Sequence, residues 1–276
     1  MKRRNFIKTT GLGLAVITSN CSNIFATNGF TKIKLNIVVL LSGGVNFNDI
    51  VKNDNNNNSI CFDSNFQGKI ICHNKVKYTG NIMEHADALL AALQPFKSNP
   101  HQQIFIGNQY AESTNCILNS NIPLEIHAVS PLTIDKPYNA DAAVFEKAFQ
   151  NLNPLNDTTI ILNLEDTDVA HYSYEKYLEV LSYYSLQLNK ISAIIFNESN
   201  NQNYQCTLTV ASVLGRNGFA NDIESENFSY CTDHYHENAR NLFLLSYQKS
   251  SQKTLIFDET PLDSSEFFKA SINVPI

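Results

Sequence analysis

Apolar residues come in short runs along this chain, and the runs alternate between two rhythms. The segment Lys34-Leu35-Asn36-Ile37-Val38-Val39-Leu40-Leu41 is continuous and β-branched, the mark of a central strand buried on both faces. Runs of similar character at 103–106, 124–129, 158–162, 191–196, 206–213, 241–247 and 254–257 predict further strands. Residues 69–72 and 75–78 predict a hairpin turning over His73-Asn74. Helical spacing takes over at 83–96, where Ala86, Leu89, Leu90 and Leu93 share a face, at 140–152 behind Asn139 as a cap, and at 174–188. Strands separated by helices require crossover connections. The expected class is therefore α/β, a mostly parallel central sheet with helices on both faces. No repeat or linker interrupts 31–276, which reads as one domain.

The first block does not belong to this pattern. Arg3-Arg4 followed by Asn5-Phe6-Ile7-Lys8, then the weakly apolar stretch 11–17, form a twin-arginine export signal covering residues 1–26, with a cut after Ala26. This predicts a periplasmic or otherwise exported protein. The competing readings are a coincidental basic start and, as a minor alternative, a lipid anchor at Cys21, which the bulky Asn20 before it disfavours. The apolar stretch is too short, and too rich in Gly and Thr, to span a membrane. Loss of residues 1–26 removes four cations and no acid, taking the formal charge from −6 to −10. So acidic a chain, with no basic cluster, is not expected to bind nucleic acid. Cys61, Cys72, Cys116, Cys206 and Cys231 remain. Their odd number leaves disulfide pairing open, and without a C-x-x-C pair a thiolate zinc site has no support.

Polar residues with chemical potential gather where the predicted strands end. After 158–162 comes Asn163-Leu164-Glu165-Asp166-Thr167-Asp168-Val169-Ala170-His171, three carboxylates and an imidazole in one strand-to-helix turn. Asp166, Asp168 and His171 have the donor chemistry for zinc or a similar ion, and equally Asp166 or Asp168 can cap the helix that follows. After the first strand come Ser42-Gly43-Gly44, then Asn46, Asn48 and Asp49. No Gly-Lys-Ser follows, so this is no phosphate-binding P-loop. Its glycines either turn the chain tightly or let backbone approach a ligand. The Asn run at 55–58 reads as a solvated loop. Thr79, ahead of the predicted helix at 83–96, is placed to cap it or to act as a nucleophile in the field of its amino end. Late in the chain, Asp233-His234-Tyr235-His236 offers a His-x-His pair, either a solvated loop or a source of imidazole ligands.

In order and spacing, four of these segments resemble the alkaline phosphatase superfamily of metal-dependent phosphatases, phosphodiesterases, sulfatases and phosphomutases, in particular its exported bacterial members. They are the first-strand turn through Asp49, Asp166 to His171 with Tyr177-Leu178 beyond, Ser212-Val213-Leu214-Gly215-Arg216, and Asp233 to His236 followed by Ala239-Arg240. The resemblance covers most of the mature chain. It implies an alkaline-phosphatase-like fold with a two-metal, usually zinc, site at the carboxyl ends of the strands and a Ser or Thr nucleophile. Carried over, Asp168, His171 and His236 are ligands, Asp166 and His234 lie beside them, Asp49 is a ligand in the first turn, and Thr79 is the nucleophile. One departure weighs against a complete site: Val213-Leu214 stand where active relatives carry Asp-His, and neither side chain binds a cation.

The implied cofactor is therefore a divalent ion, zinc in the first place, with one ion retained or none. Two functions follow from different classes. One is a noncatalytic exported protein with an incomplete metal site that acts by binding, and the other a hydrolase of small phosphate or sulfate esters with a reduced metal complement. An Asn-rich binding module on an unrelated α/β fold would require the acidic turn and the histidine loop to lie far apart. No protein partner is indicated.

Overall fold

Strand β1 (Ile33–Leu41) is the axis of the sheet, and its continuous apolar sequence follows from having a strand on each edge. Strand β5 (Thr158–Leu164) runs parallel along one edge, with Leu35 opposite Thr158 and Leu41 opposite Leu164. Strand β6 (Tyr204–Ser212) runs parallel along the other, with Leu35 opposite Cys206 and Leu41 opposite Ser212. The computed structural model describes residues 32–45, 68–73, 102–120, 124–131, 138–169, 174–197, 200–212, 242–247 and 254–258. The remaining strands are β2 (Gly68–His73), β3 (Gln102–Asn108), β4 (Glu125–Val129), β7 (Leu242–Tyr247) and β8 (Thr254–Asp258), in the sheet order β4-β3-β5-β1-β6-β7-β2-β8. Five neighbouring strands, β4 to β6, are parallel throughout. Polarity reverses at β7, which is antiparallel to both β6 and β2, while β2 and β8 pair in parallel. The mostly parallel α/β class read from the sequence is the class observed.

The helices among the described residues are α1 (Glu112–Leu118), α2 (Asn139–Gln150), α3 (Asp166–Val169), α4 (Tyr174–Ile195) and α5 (Asn200–Asn203). One core unites Val144, Phe145 and Ala148 of α2 and Tyr177, Leu181, Tyr184 and Leu188 of α4 with Leu35, Ile37, Val39 and Leu41 of β1 and Ile160, Leu162 and Leu164 of β5. These strand residues alternate, so they share one face of the sheet. Val38, Leu40, Phe105 and Ile161, on the opposite face, are buried as well. The described elements belong to the compact unit Ile33–Ile276. Among the described residues no helix is long and apolar enough to cross a membrane.

Three expectations are corrected. The strand read at 191–196 is the last part of α4, a helix of 22 residues. Its β-branched run is as apolar as a strand, but Ile191 and Ile195 continue the three- and four-residue spacing of Tyr177, Val180, Leu181, Tyr184 and Leu188, and all of them are buried in the same core. The hairpin over His73-Asn74 is replaced by long-range pairing. Both edges of β2 are occupied, by β7 and by β8, leaving no edge for 75–78, which themselves lie outside the described residues. Asn139 is the first residue of α2 rather than its cap, and Tyr138, at the cap position, makes no side-chain cap bond. The helix expected at 83–96 lies outside the described residues.

Leu162 sits fully buried in β5, with strands on both edges and α4 beneath the same core. Leu162→Ala removes apolar contacts from a fully buried position. It is expected to cost about 2–5 kcal/mol of unfolding free energy in urea titrations.

Candidate functional site

Because β1, β3, β5 and β6 are parallel, Leu41, Asn108, Leu164 and Ser212 all end at one edge of the sheet. The two turns leaving β1 and β5 meet there. The amides of Ser42 and Gly43 both donate to the Leu164 carbonyl, at 2.7 and 3.3 Å. The Ser42 hydroxyl donates to Asn163 Oδ1, and Asn163 Nδ2 donates in turn to Glu165 Oε1 at 2.7 Å. A buried side-chain amide thus ties the first turn to the acidic turn.

Gly43 lies where the two backbones touch. A Cβ there would stand 2.4 Å from Thr167 Oγ1, 2.5 Å from the Asp168 amide nitrogen and 2.6 Å from the Glu165 carbonyl oxygen. Two of those three atoms are backbone and cannot rotate away. Gly44 is needed for a different reason, its φ of 81°. The glycine pair therefore serves both a close approach and a turn, and what approaches Gly43 is the acidic turn itself.

That turn is held from its other side by Asp141, in the first turn of α2. The Glu165 amide donates to both Asp141 carboxylate oxygens at 3.1 and 3.0 Å, and the Asp166 amide donates to Oδ2 at 2.8 Å. Asp166 reciprocates: its Oδ2 accepts the Asp141 amide at 2.8 Å. The Tyr184 hydroxyl, from α4, donates to Asp141 Oδ2. Asp166 is thus a helix cap, as one reading of the sequence had it, but it caps α2 rather than the helix that follows it.

Burial sets the electrostatics of this pair. Asp141 is fully buried and Asp166 is 3% exposed. Loss of water pushes the Asp141 carboxyl well above the usual range, with the neighbouring Asp166 charge adding to the rise and the Tyr184 hydroxyl and two amides opposing it. Loss of water likewise pushes Asp166 up to about 7, against the hydrogen bonds from the Asp141 and Ala140 amides and with the Glu165 charge. Burial also raises Tyr184, and the charges of Asp141 and Asp166 raise it further.

Of the residues singled out in the sequence, the structure brings together the first-strand turn, Asp166 and Asp168. Asp168 is exposed on α3, and its amide closes on the Glu165 carbonyl at 2.8 Å. His171, His234, His236, Asp49 and Thr79 lie outside the described residues. Asp168 has the hard-oxygen chemistry and the exposure that suit a divalent ion. Asp166 fits less well, being buried and bonded to α2 amides, and the Thr167 hydroxyl is buried without a hydrogen-bond partner against Gly43. Among the described residues no group of three His, Cys, Asp or Glu side chains is placed to hold a metal. Asp141 and Tyr184 escaped the sequence reading because nothing local marks a helix-opening Asp as the partner of a turn 24 residues further on.

No model of a known protein family matches the sequence, and no curated protein does. Solved structures do. The C-terminal periplasmic domain of EptC from Escherichia coli, in complex with zinc, aligns with a TM-score of 0.53 at 10% identity over 81% of this chain and 75% of its own. The lipoteichoic acid synthase LtaP from Listeria monocytogenes aligns with a TM-score of 0.53 at 7% identity, over 88% and 71%. Human ectonucleotide pyrophosphatase/phosphodiesterase 5 aligns with a TM-score of 0.50 at 10% identity, over 86% and 93%. At these identities the likeness is one of fold, and the fold is the alkaline-phosphatase-like α/β fold.

Two outcomes are expected. Gly43→Ala forces the two turns apart, lowering stability by about 1–3 kcal/mol in denaturant titrations. Asp166, with its folded value raised to about 7, retains a proton that the unfolded chain releases near pH 4. Its contribution is fully present below about pH 4 and is lost as the pH rises through about 7. Thermal melts of the wild type across that window should show this loss, and Asp166→Asn, which keeps an acceptor oxygen without the charge, should make it shallower, the raised Asp141 carboxyl keeping a contribution of the same sign.

Proposed function

We propose that this alkaline-phosphatase-like fold serves an exported, noncatalytic binding protein whose metal site is incomplete. The twin-arginine signal carries the chain to the periplasm. There one divalent ion, zinc by the chemistry of the donors, is held by Asp168, His171 and His236, with Asp49 and His234 as neighbouring donors. Such an ion would supply positive charge for the oxygens of a small phosphate or sulfate ester. The observation that carries the proposal is the end of β6. Ser212 lies opposite Leu41 at the carboxyl edge, and the next two residues of the sequence, Val213-Leu214, carry no donor side chain. In a two-metal site one cation serves the attacking oxygen and the other the leaving oxygen, and Val213-Leu214 take away donors that such a pair would use.

The reversal at β7 supports including His236. Since β7 is antiparallel to β6, with Leu244 opposite Ala211, its first residue, Leu242, enters the sheet from the carboxyl edge. The histidine segment precedes it by a few residues. A second reading, a hydrolase with a reduced metal complement and Thr79 as nucleophile, draws on the contact between Gly43 and the acidic turn, which puts Asp168 beside the first-strand turn.

Elemental mass spectrometry of protein purified from the periplasm tests both. The expected result is about one equivalent of zinc, lost in Asp168→Ala, His171→Ala and His236→Ala, with no turnover of aryl phosphate or sulfate esters. Ester turnover abolished by Thr79→Ala would select the hydrolase reading. A folded wild type without metal would remove both.

A further inference from the structure

We infer that Asp141 is a positioning residue for Asp168: from the first turn of α2 it fixes the acidic turn, and with it Asp168, beyond the carboxyl end of β5. The inference rests on the proposed role of Asp168 as a metal ligand.

The geometry runs through few atoms. Asp141 holds the amides of Glu165 and Asp166, the first two residues of the turn. Asp166 returns the bond to α2, so turn and helix cannot shift independently. Asn163 holds the Glu165 side chain from the β1 side, and the Asp168 amide closes on the Glu165 carbonyl. Asp168 therefore follows Glu165, and Glu165 is held from both sides. Tyr184 in turn orients the Asp141 carboxylate. An Asn or Ser would cap α2 without burying an acid. Burying two carboxyl groups, each bonded to the other's backbone amide, is costly, and what Asp141 adds is a grip on the turn.

The test measures zinc affinity by chelator competition, and the electronic spectrum of the cobalt-substituted protein, on the full mature chain. The variants are Asp168→Ala, Asp141→Asn, Tyr184→Phe and, as a control for loss of core packing, Leu188→Ala, one helical turn beyond Tyr184 on α4. In Asp141→Asn the side-chain NH2 confronts an amide donor, so the turn is released on one side. Zinc affinity is expected to fall about tenfold or more, with altered cobalt bands, and Tyr184→Phe to move both in the same direction by less. Leu188→Ala is expected to lower the melting temperature while leaving affinity and spectrum unchanged. If Asp141→Asn does not fold, Tyr184→Phe decides by the same two readouts.

Wild-type affinity and spectrum in Asp141→Asn, alongside loss of zinc in Asp168→Ala, would overturn the inference alone. So would an equal loss in Leu188→Ala. A wild type that binds no zinc, or an Asp168→Ala variant that binds like wild type, would overturn the inference together with the metal role it rests on.

Discussion

Where β1 and β5 end, two backbones lie closer together than a methyl group allows, and the site depends on that contact. Gly43 is not there for flexibility. Its missing side chain leaves the volume into which Thr167, the Asp168 amide and the Glu165 carbonyl fit. The parallel pairing of β1 with β5 brings the turns to the same level, and hydrogen bonds from Ser42 and Gly43 to Leu164 hold them there. Everything proposed for Asp168 presupposes this juxtaposition.

The acidic turn gains its shape from polar groups that are all internal. Asn163, Asp141 and Asp166 are buried, and each is satisfied by a backbone or side-chain partner, while the Thr167 hydroxyl beside Gly43 is buried without one. Two acids of one turn have thereby diverged in role. Asp166 is turned inward to α2 and shares its environment with Asp141, while Asp168, two positions on, remains at the surface. The carboxylates that looked alike in the sequence are separated by burial.

The fold was legible where tertiary and local signals agree. Strand β1 and strand β5 are apolar because both faces are covered, and the helical stripe from Tyr177 to Leu188 shows its period plainly. Misreadings came where two structures share one pattern. Ile191 to Phe196 suits a strand as well as the end of a helix, and only the buried stripe continuing through Ile195 decides. For β2, adjacency in sequence suggested a hairpin, whereas its partners are β7 and β8, far along the chain. At the site, the placement of Asp166 and Asp168 in a turn after β5 could be read from residues 158–168. The cap from Asp141, the hydroxyl of Tyr184 and the reason for Gly43 could not, because each is a relation between distant segments that leaves no local trace.

Those distances in sequence also bear on how the protein is made. The bond from Ser42 to Asn163 joins residues 121 positions apart, and that from Thr207 to Asn36 joins residues 171 apart. During synthesis β1 emerges first, yet both strands that pair with its edges are translated much later. Until then its apolar faces and unpaired edges are open to other chains, the condition in which nascent proteins aggregate. A topology with so much non-local pairing also folds slowly. The strand on which the whole sheet is built thus waits, through most of translation, for both of its neighbours to be made.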